Sequence, residues 1–174
     1  MEQRNALRRL FASCPPPASP PDGAYQGRLE LITIPGPLGV LARVWTRRWM
    51  PWKGKRFLAA AGKGENRFSN DAQGLMRLYW PSYHGARAAD RGHFTAFTFV
   101  TRFASSVVNP SQVVLRIDYD LDANPRFGIR DVVDEVVVLP DGRLLGEAQL
   151  RFRGRWHTAA YFTLTPAHPV LASR

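Results

Sequence analysis

The feature that most constrains this chain is its C-terminal third, where three apolar runs at 113–119, 132–139 and 144–152 lead into a fourth at 156–164 through short connections. Pro140-Asp141-Gly142 and Gly154-Arg155 are hairpin turn signals. A parallel pair needs a crossover of a dozen or more residues, for which these two connections leave no room. The runs are therefore expected to form an antiparallel meander. Joined to earlier strands, the meander is expected to close into an up-and-down barrel, a container for an apolar molecule.

The upstream sequence supplies the remaining strands. Residues 2–12 place Ala6, Leu7, Leu10 and Phe11 on one side of a short helix with arginines between them. Five prolines within residues 14–21 end it and make an extended connector. A first strand at 24–34 alternates Tyr25, Gly27, Leu29 and Leu31 with polar neighbours. Pro35-Gly36-Pro37 stops that strand, and residues 38–49 read as an amphipathic helix with Leu38, Leu41, Val44, Trp45 and Trp49 on a stripe. Further strands are expected at 55–61, 65–69, 75–80 and 94–103, giving nine candidates for a barrel of about eight to ten strands. The expected organisation is an N-terminal helix and connector over residues 1–22, then one mainly β barrel domain over 23–174.

Charge and cysteine content narrow the function classes. Residues 1–67 carry a net charge of +8 and residues 68–174 only +2, so the basic excess is local. Helix-turn-helix, zinc-finger and RNA-binding aromatic signatures are absent, and no nucleic-acid partner is expected. Trp45, Trp49, Arg47 and Arg48 meet the description of an interfacial helix that touches an anionic membrane weakly. No apolar stretch approaches the roughly 18 residues of a membrane span. Phe11-Ala12-Ser13-Cys14 has the outline of a lipoprotein cleavage box, but Arg8 and Arg9 leave no apolar run before it. With Cys14 as the single cysteine there is no internal disulfide, and a cytoplasmic location is expected.

Gly23-Ala24-Tyr25-Gln26-Gly27 resembles the Gly-x-Trp-x-Gly element on the first strand of calycin-like barrels, which include lipocalins, fatty-acid-binding proteins and nitrobindin-like haem proteins. Tyr25 stands where those proteins usually carry tryptophan. The chain is also similar, over most of its length, to small bacterial barrel proteins that carry a segment like Pro51-Trp52-Lys53-Gly54-Lys55 and a late acidic pair like Asp134-Glu135. The calycin resemblance implies a ligand in the barrel. Its nitrobindin-like branch implies a haem, for which His157 on the last strand is the candidate axial ligand.

The chemistry-bearing residues are few. Asp134 and Glu135 interrupt the apolar run at 132–139, and because successive strand residues face opposite sides, one of them is expected inside the barrel. Paired with a cation, that carboxylate can anchor a ligand; desolvated alone, it becomes an acid–base group. The basic, glycine-rich segment from Trp52 to Arg67 is expected to be a hairpin whose cations receive a carboxylate or phosphate head group. The ligand contacts expected are Lys55, Arg67 and Glu135 as polar groups, with Phe97, Phe99, Tyr119 and Phe162 as lining. Binding of an apolar, optionally anionic, small molecule is the leading expectation. The alternatives are an isomerase- or cyclase-type enzyme using Asp134 or Glu135, and a haem barrel through His157. No metal ion or other cofactor is expected, because no metal-ligand spacing or phosphate loop is present.

Overall fold

The computed structural model describes residues 2–34, 51–90 and 92–167. Helix α1 (Glu2–Ser13) precedes strands β1 (Gly23–Ile32), β2 (Trp52–Leu58) and β3 (Lys63–Ser69). Helix α2 (Ala72–Tyr79) follows, then β4 (Arg87–Asp90), β5 (His93–Ser105), β6 (Val113–Asp118), β7 (Val132–Val138), β8 (Leu144–Phe152) and β9 (Arg155–Pro166). The strands pair antiparallel in the order β3-β2-β1-β9-β8-β7-β6-β5-β4, and β3 also pairs with β5. That last pairing closes β1, β2, β3, β5, β6, β7, β8 and β9 into an eight-stranded antiparallel barrel. The short β4 lies beside the start of β5, outside the ring. The turns at 140–142 and 154 join β7 to β8 and β8 to β9, as their chemistry requires, with Gly142 and Gly154 at positive φ.

Alternation around the ring puts aromatic and branched side chains inside. Phe57, Phe99, Leu115, Ile117, Val136, Phe162 and Leu164 form the centre of the core. Two bulges change which residues face inward. On β2 the register shifts between Trp52 and Gly54, so Trp52 and Lys55 both reach the interior, and Gly54 supplies the φ of +128° that the distortion needs. On β5 the shift falls at Phe97, whose φ is +54°, and it lets Phe94, Phe97 and Phe99 all join one core. Room for large rings comes from glycine on the facing strand. A Cβ at Gly146 would lie 2.2 Å from the ring of Phe162, its cross-strand partner.

Helix α1 packs on the outer surface of β6, β7 and β8. Leu7, Phe11 and Cys14, spaced as one helical stripe, meet Val114, Val137, Leu139 and Leu145. The proline connector adds a strand-like bond from Val138 N–H to the Pro15 carbonyl. Both faces of β7 are thus covered, which accounts for its nearly unbroken apolar sequence. Cys14 is buried in this contact as a free thiol.

One expectation is corrected here. Residues 75–80, expected as a strand, belong largely to α2, where Ala72 and Met76 four residues apart form the buried face. The four-residue, fully exposed β4 carries no strand signal in the sequence. The helix expected over 38–49, with Trp45, Arg47, Arg48 and Trp49, lies outside the described residues. No helix among those described is long and apolar enough to cross a membrane.

Candidate functional site

At one end of the barrel the core opens into a cavity of about 470 Å³. Its deep wall is made by Trp52, Phe68, Phe97, Val132, Ala148, Ala160 and Phe162, and its mouth by Leu75, Met76 and Tyr79 of α2 with Trp80 and Ile129. Edge-to-face contacts fix the rings: Trp52 lies 5.4 Å from Phe162 and Trp80 5.1 Å from Phe97, centroid to centroid. The Trp80 indole N–H donates to the Phe127 carbonyl at 2.9 Å, which ties the end of α2 to the segment bearing Ile129.

Among the described residues, four polar side chains face this otherwise apolar space: Lys55, Asn66, Tyr119 and Asp134. Lys55 is 2% exposed, and its ammonium donates to Asp134 Oδ2 at 2.7 Å, to Asn66 Oδ1 at 2.9 Å and to Tyr119 Oη. Tyr119 in turn donates to Asp134 Oδ2 at 2.9 Å. Asn66 is held by the Trp52 indole N–H at 3.1 Å and donates through Nδ2 to Tyr119 Oη and the Phe97 carbonyl. The rings of Tyr119, Phe99, Phe162 and Trp52 stand 5.2 to 5.6 Å from Nζ, within cation–π range. Burial pushes the Lys55 ammonium below the ordinary lysine range, and Asp134 opposes that shift. Burial, reinforced by the Asp134 charge, pushes the Tyr119 phenol far up, so it stays a proton donor.

Cross-strand register explains this assembly. Lys55 pairs with Asn66 on β2 and β3, while Asp134 sits on β7 beside Ile117 on β6, two residues before Tyr119. All four side chains point to the barrel axis. Glu135, one residue on, points out and is nevertheless fully buried beside the α1 contact. It accepts from Ser106 Oγ and Val107 N–H, each at 2.6 Å, and Arg116 Nε stands 3.9 Å away. Across the β7–β8 register it faces Glu147, and Glu147 faces Tyr161 on β9. Gln149 donates to Glu147 at 2.8 Å. Burial pushes Glu147 up to about 7, against the hydrogen bond from Tyr161, and the neighbouring Glu135 adds to the shift.

Of the residues expected at the ligand, Lys55, Phe97, Tyr119 and Phe162 line the cavity, as does the acid–base candidate Asp134. Phe99 is buried one layer away, packed between Phe57 and Tyr119. Arg67 is one residue past Asn66 and therefore faces out, where it pairs with Asp90 at 2.7 Å. Glu135 occupies the outer layer beneath α1, not the cavity. His157 is exposed near the start of β9, and no histidine lines the cavity among the described residues. The expected axial ligand of a haem, His157, is therefore not a lining residue of this cavity. Sequence reasoning missed Asn66 and the α2 side of the mouth; the alternation of Gly64, Asn66 and Phe68 on β3 was the available sign for the first.

Compared with known proteins, the chain matches no family model, no curated protein and no solved structure.

Proposed function

We propose that this protein is a calycin-like container that binds an apolar small molecule in the barrel cavity, polar end toward Lys55 and Asp134. The observation that carries the reading is the cavity's composition: about 470 Å³ walled by aromatic and aliphatic side chains, with its polar groups gathered at one cluster. Ligand sites of this size characteristically combine an apolar wall with a few placed polar groups. Lys55 already has its charge matched by Asp134, so the favoured ligand is uncharged, with a carbonyl or hydroxyl at its polar end.

Native mass spectrometry of protein purified without detergent, followed by titration with the neutral fluorophore N-phenyl-1-naphthylamine, tests this. An organic adduct or saturable fluorescence is expected, and filling the cavity with Ala160→Trp or Ala148→Leu weakens binding by about tenfold or more. Unchanged affinity in filled, folded variants would remove the container reading.

A second reading is acid–base catalysis in the same space, an isomerase or cyclase. It is favoured by the contact of Asp134 with both Tyr119 and Lys55, a carboxylate flanked by two proton donors. Turnover abolished by Asp134→Asn with ligand affinity retained would separate it from binding alone.

A further inference from the structure

Lys55 stands apart from the other basic residues of the chain. Of 24 lysines and arginines only three are lysines: Lys53, Lys55 and Lys63. Lys53 and Lys63 are exposed, whereas Lys55 is sealed in the cavity wall. A buried ion pair with a purely structural task is best served by arginine, whose guanidinium keeps its proton and can bond a carboxylate in two places. A lysine can instead give up its proton when desolvated and become a nucleophile. This arginine-rich chain carries a lysine at its buried cationic position in the cavity.

We propose that Lys55 captures an apolar aldehyde or ketone in the cavity as a protonated imine, with Asp134 as its counter-ion. The proposal rests on the cavity being a ligand site and names the reactive group of the ligand. Asp134, 2.7 Å from Nζ, takes one ammonium proton and frees the amine. The amine lone pair forms the C–N bond to the carbonyl carbon while the C=O π pair moves to oxygen, and the amine's proton follows to give a carbinolamine. Asp134 returns its proton to that hydroxyl, the C–O bond breaks, and water leaves. One carbonyl compound and one ammonium thus become one iminium and one water, with no oxidant or reductant, and the carboxylate ends as it began.

The surroundings suit the product as well as the reactant. The iminium keeps the single N–H that points to Asp134 and retains the positive charge that the four surrounding rings attract. Two ammonium N–H groups are lost, yet neither of their acceptors is stranded. Asn66 Oδ1 still accepts from the Trp52 indole at 3.1 Å, and Tyr119 still receives the Asn66 amide at 3.1 Å and donates to Asp134. A cluster bonded in this redundant way can exchange an ammonium for an imine without leaving a buried polar atom unpaired.

The test is reductive trapping on the full chain. The protein is incubated with trans-cinnamaldehyde and cyanoborohydride, and peptide mapping locates the label. One label per chain at Lys55 is expected, formed about tenfold or more faster than at Lys53 or Lys63. Lys55→Arg abolishes it while leaving surface labelling unchanged, and the mapping on unaltered protein stands even if that variant folds poorly. In parallel, trans-cinnamyl alcohol, which cannot form an imine, reports occupancy of the cavity through quenching of Trp52 and Trp80. If the alcohol binds and Lys55 stays unlabelled, imine capture is overturned and the container stands. If neither the alcohol nor the aldehyde enters, both readings fall. Label confined to Lys53, Lys63 and the chain's amino terminus, at the rates of unfolded protein, also overturns the proposal.

Discussion

Asp134 and Glu135 are neighbours in sequence and occupy opposite compartments of the molecule. Inside the barrel, Asp134 is matched by Lys55 at 2.7 Å, so a charged pair faces the cavity. Outside it, beneath α1, Glu135 and Glu147 face each other across the β7–β8 register, with Arg116 3.9 Å from Glu135. The inner site balances its charge by ion pairing; in the outer one burial pushes both glutamates up, Glu147 to about 7, so that Glu147 is the group that favours its neutral acid. One fold therefore solves the burial of a carboxylate in two ways, and the solutions respond differently to mutation and to pH.

Breaking the inner pair is expected to have the largest effect. Asp134→Leu leaves Lys55 buried without a counter-charge and costs about 4 kcal/mol in urea denaturation, whereas combining it with Lys55→Met restores most of that stability. Recovery in the double variant is the diagnostic result, because a mere packing defect would add instead. Loosening the outer compartment comes next. Phe11→Ala removes the buried anchor of α1 and is expected to cost about 3 to 4 kcal/mol, with hydrogen exchange rising at Val137 and Val138 but not at Lys55.

The pH response separates the compartments further. Glu147 has its folded pKa raised from 4.5 to about 7, so the folded state holds a proton that the unfolded chain releases in that window. Its contribution is fully present below pH 4.5 and is lost as pH rises through about 7, a total of about 3 kcal/mol. Glu147→Gln should flatten that slope in denaturant melts at a series of pH values; an unchanged slope would assign it elsewhere. The smallest effect is expected from Arg67→Ala, which removes the outward pair with Asp90 and leaves lipophile affinity unchanged.

How far the sequence could be read follows from which constraints are local. The hairpins at 140–142 and 154 are local chemistry, and the strands they join stand where expected. Helix α2 escapes the sequence pattern because eight residues containing Gly74 give too short a periodic signal, although Ala72 and Met76 are spaced for a helix. For the site, parity along a strand located one of Asp134 and Glu135 inside but not which one, since β7 is apolar on both faces once α1 covers it. The sequence does not separate Arg67 from Asn66 because the inward set of β3 depends on its register against β2 and β5, which is a tertiary property. The bulges at Lys53 and Phe97 shift that parity again.

The pairing of β1 with β9 joins the first strand of the barrel to its last, and a hydrogen bond such as Thr163 Oγ1 to Glu30 spans 133 residues of chain. During synthesis, β1 must wait with one edge unsatisfied until β9 has been made. The meander β7, β8 and β9 can form from near neighbours, but the final seam carries the long loop-closure penalty that slows folding. A chain cut short before β9 would therefore leave two open strand edges instead of a vessel, inviting association with other chains. The cavity is a late product of folding, available to a ligand only after the last strand has docked.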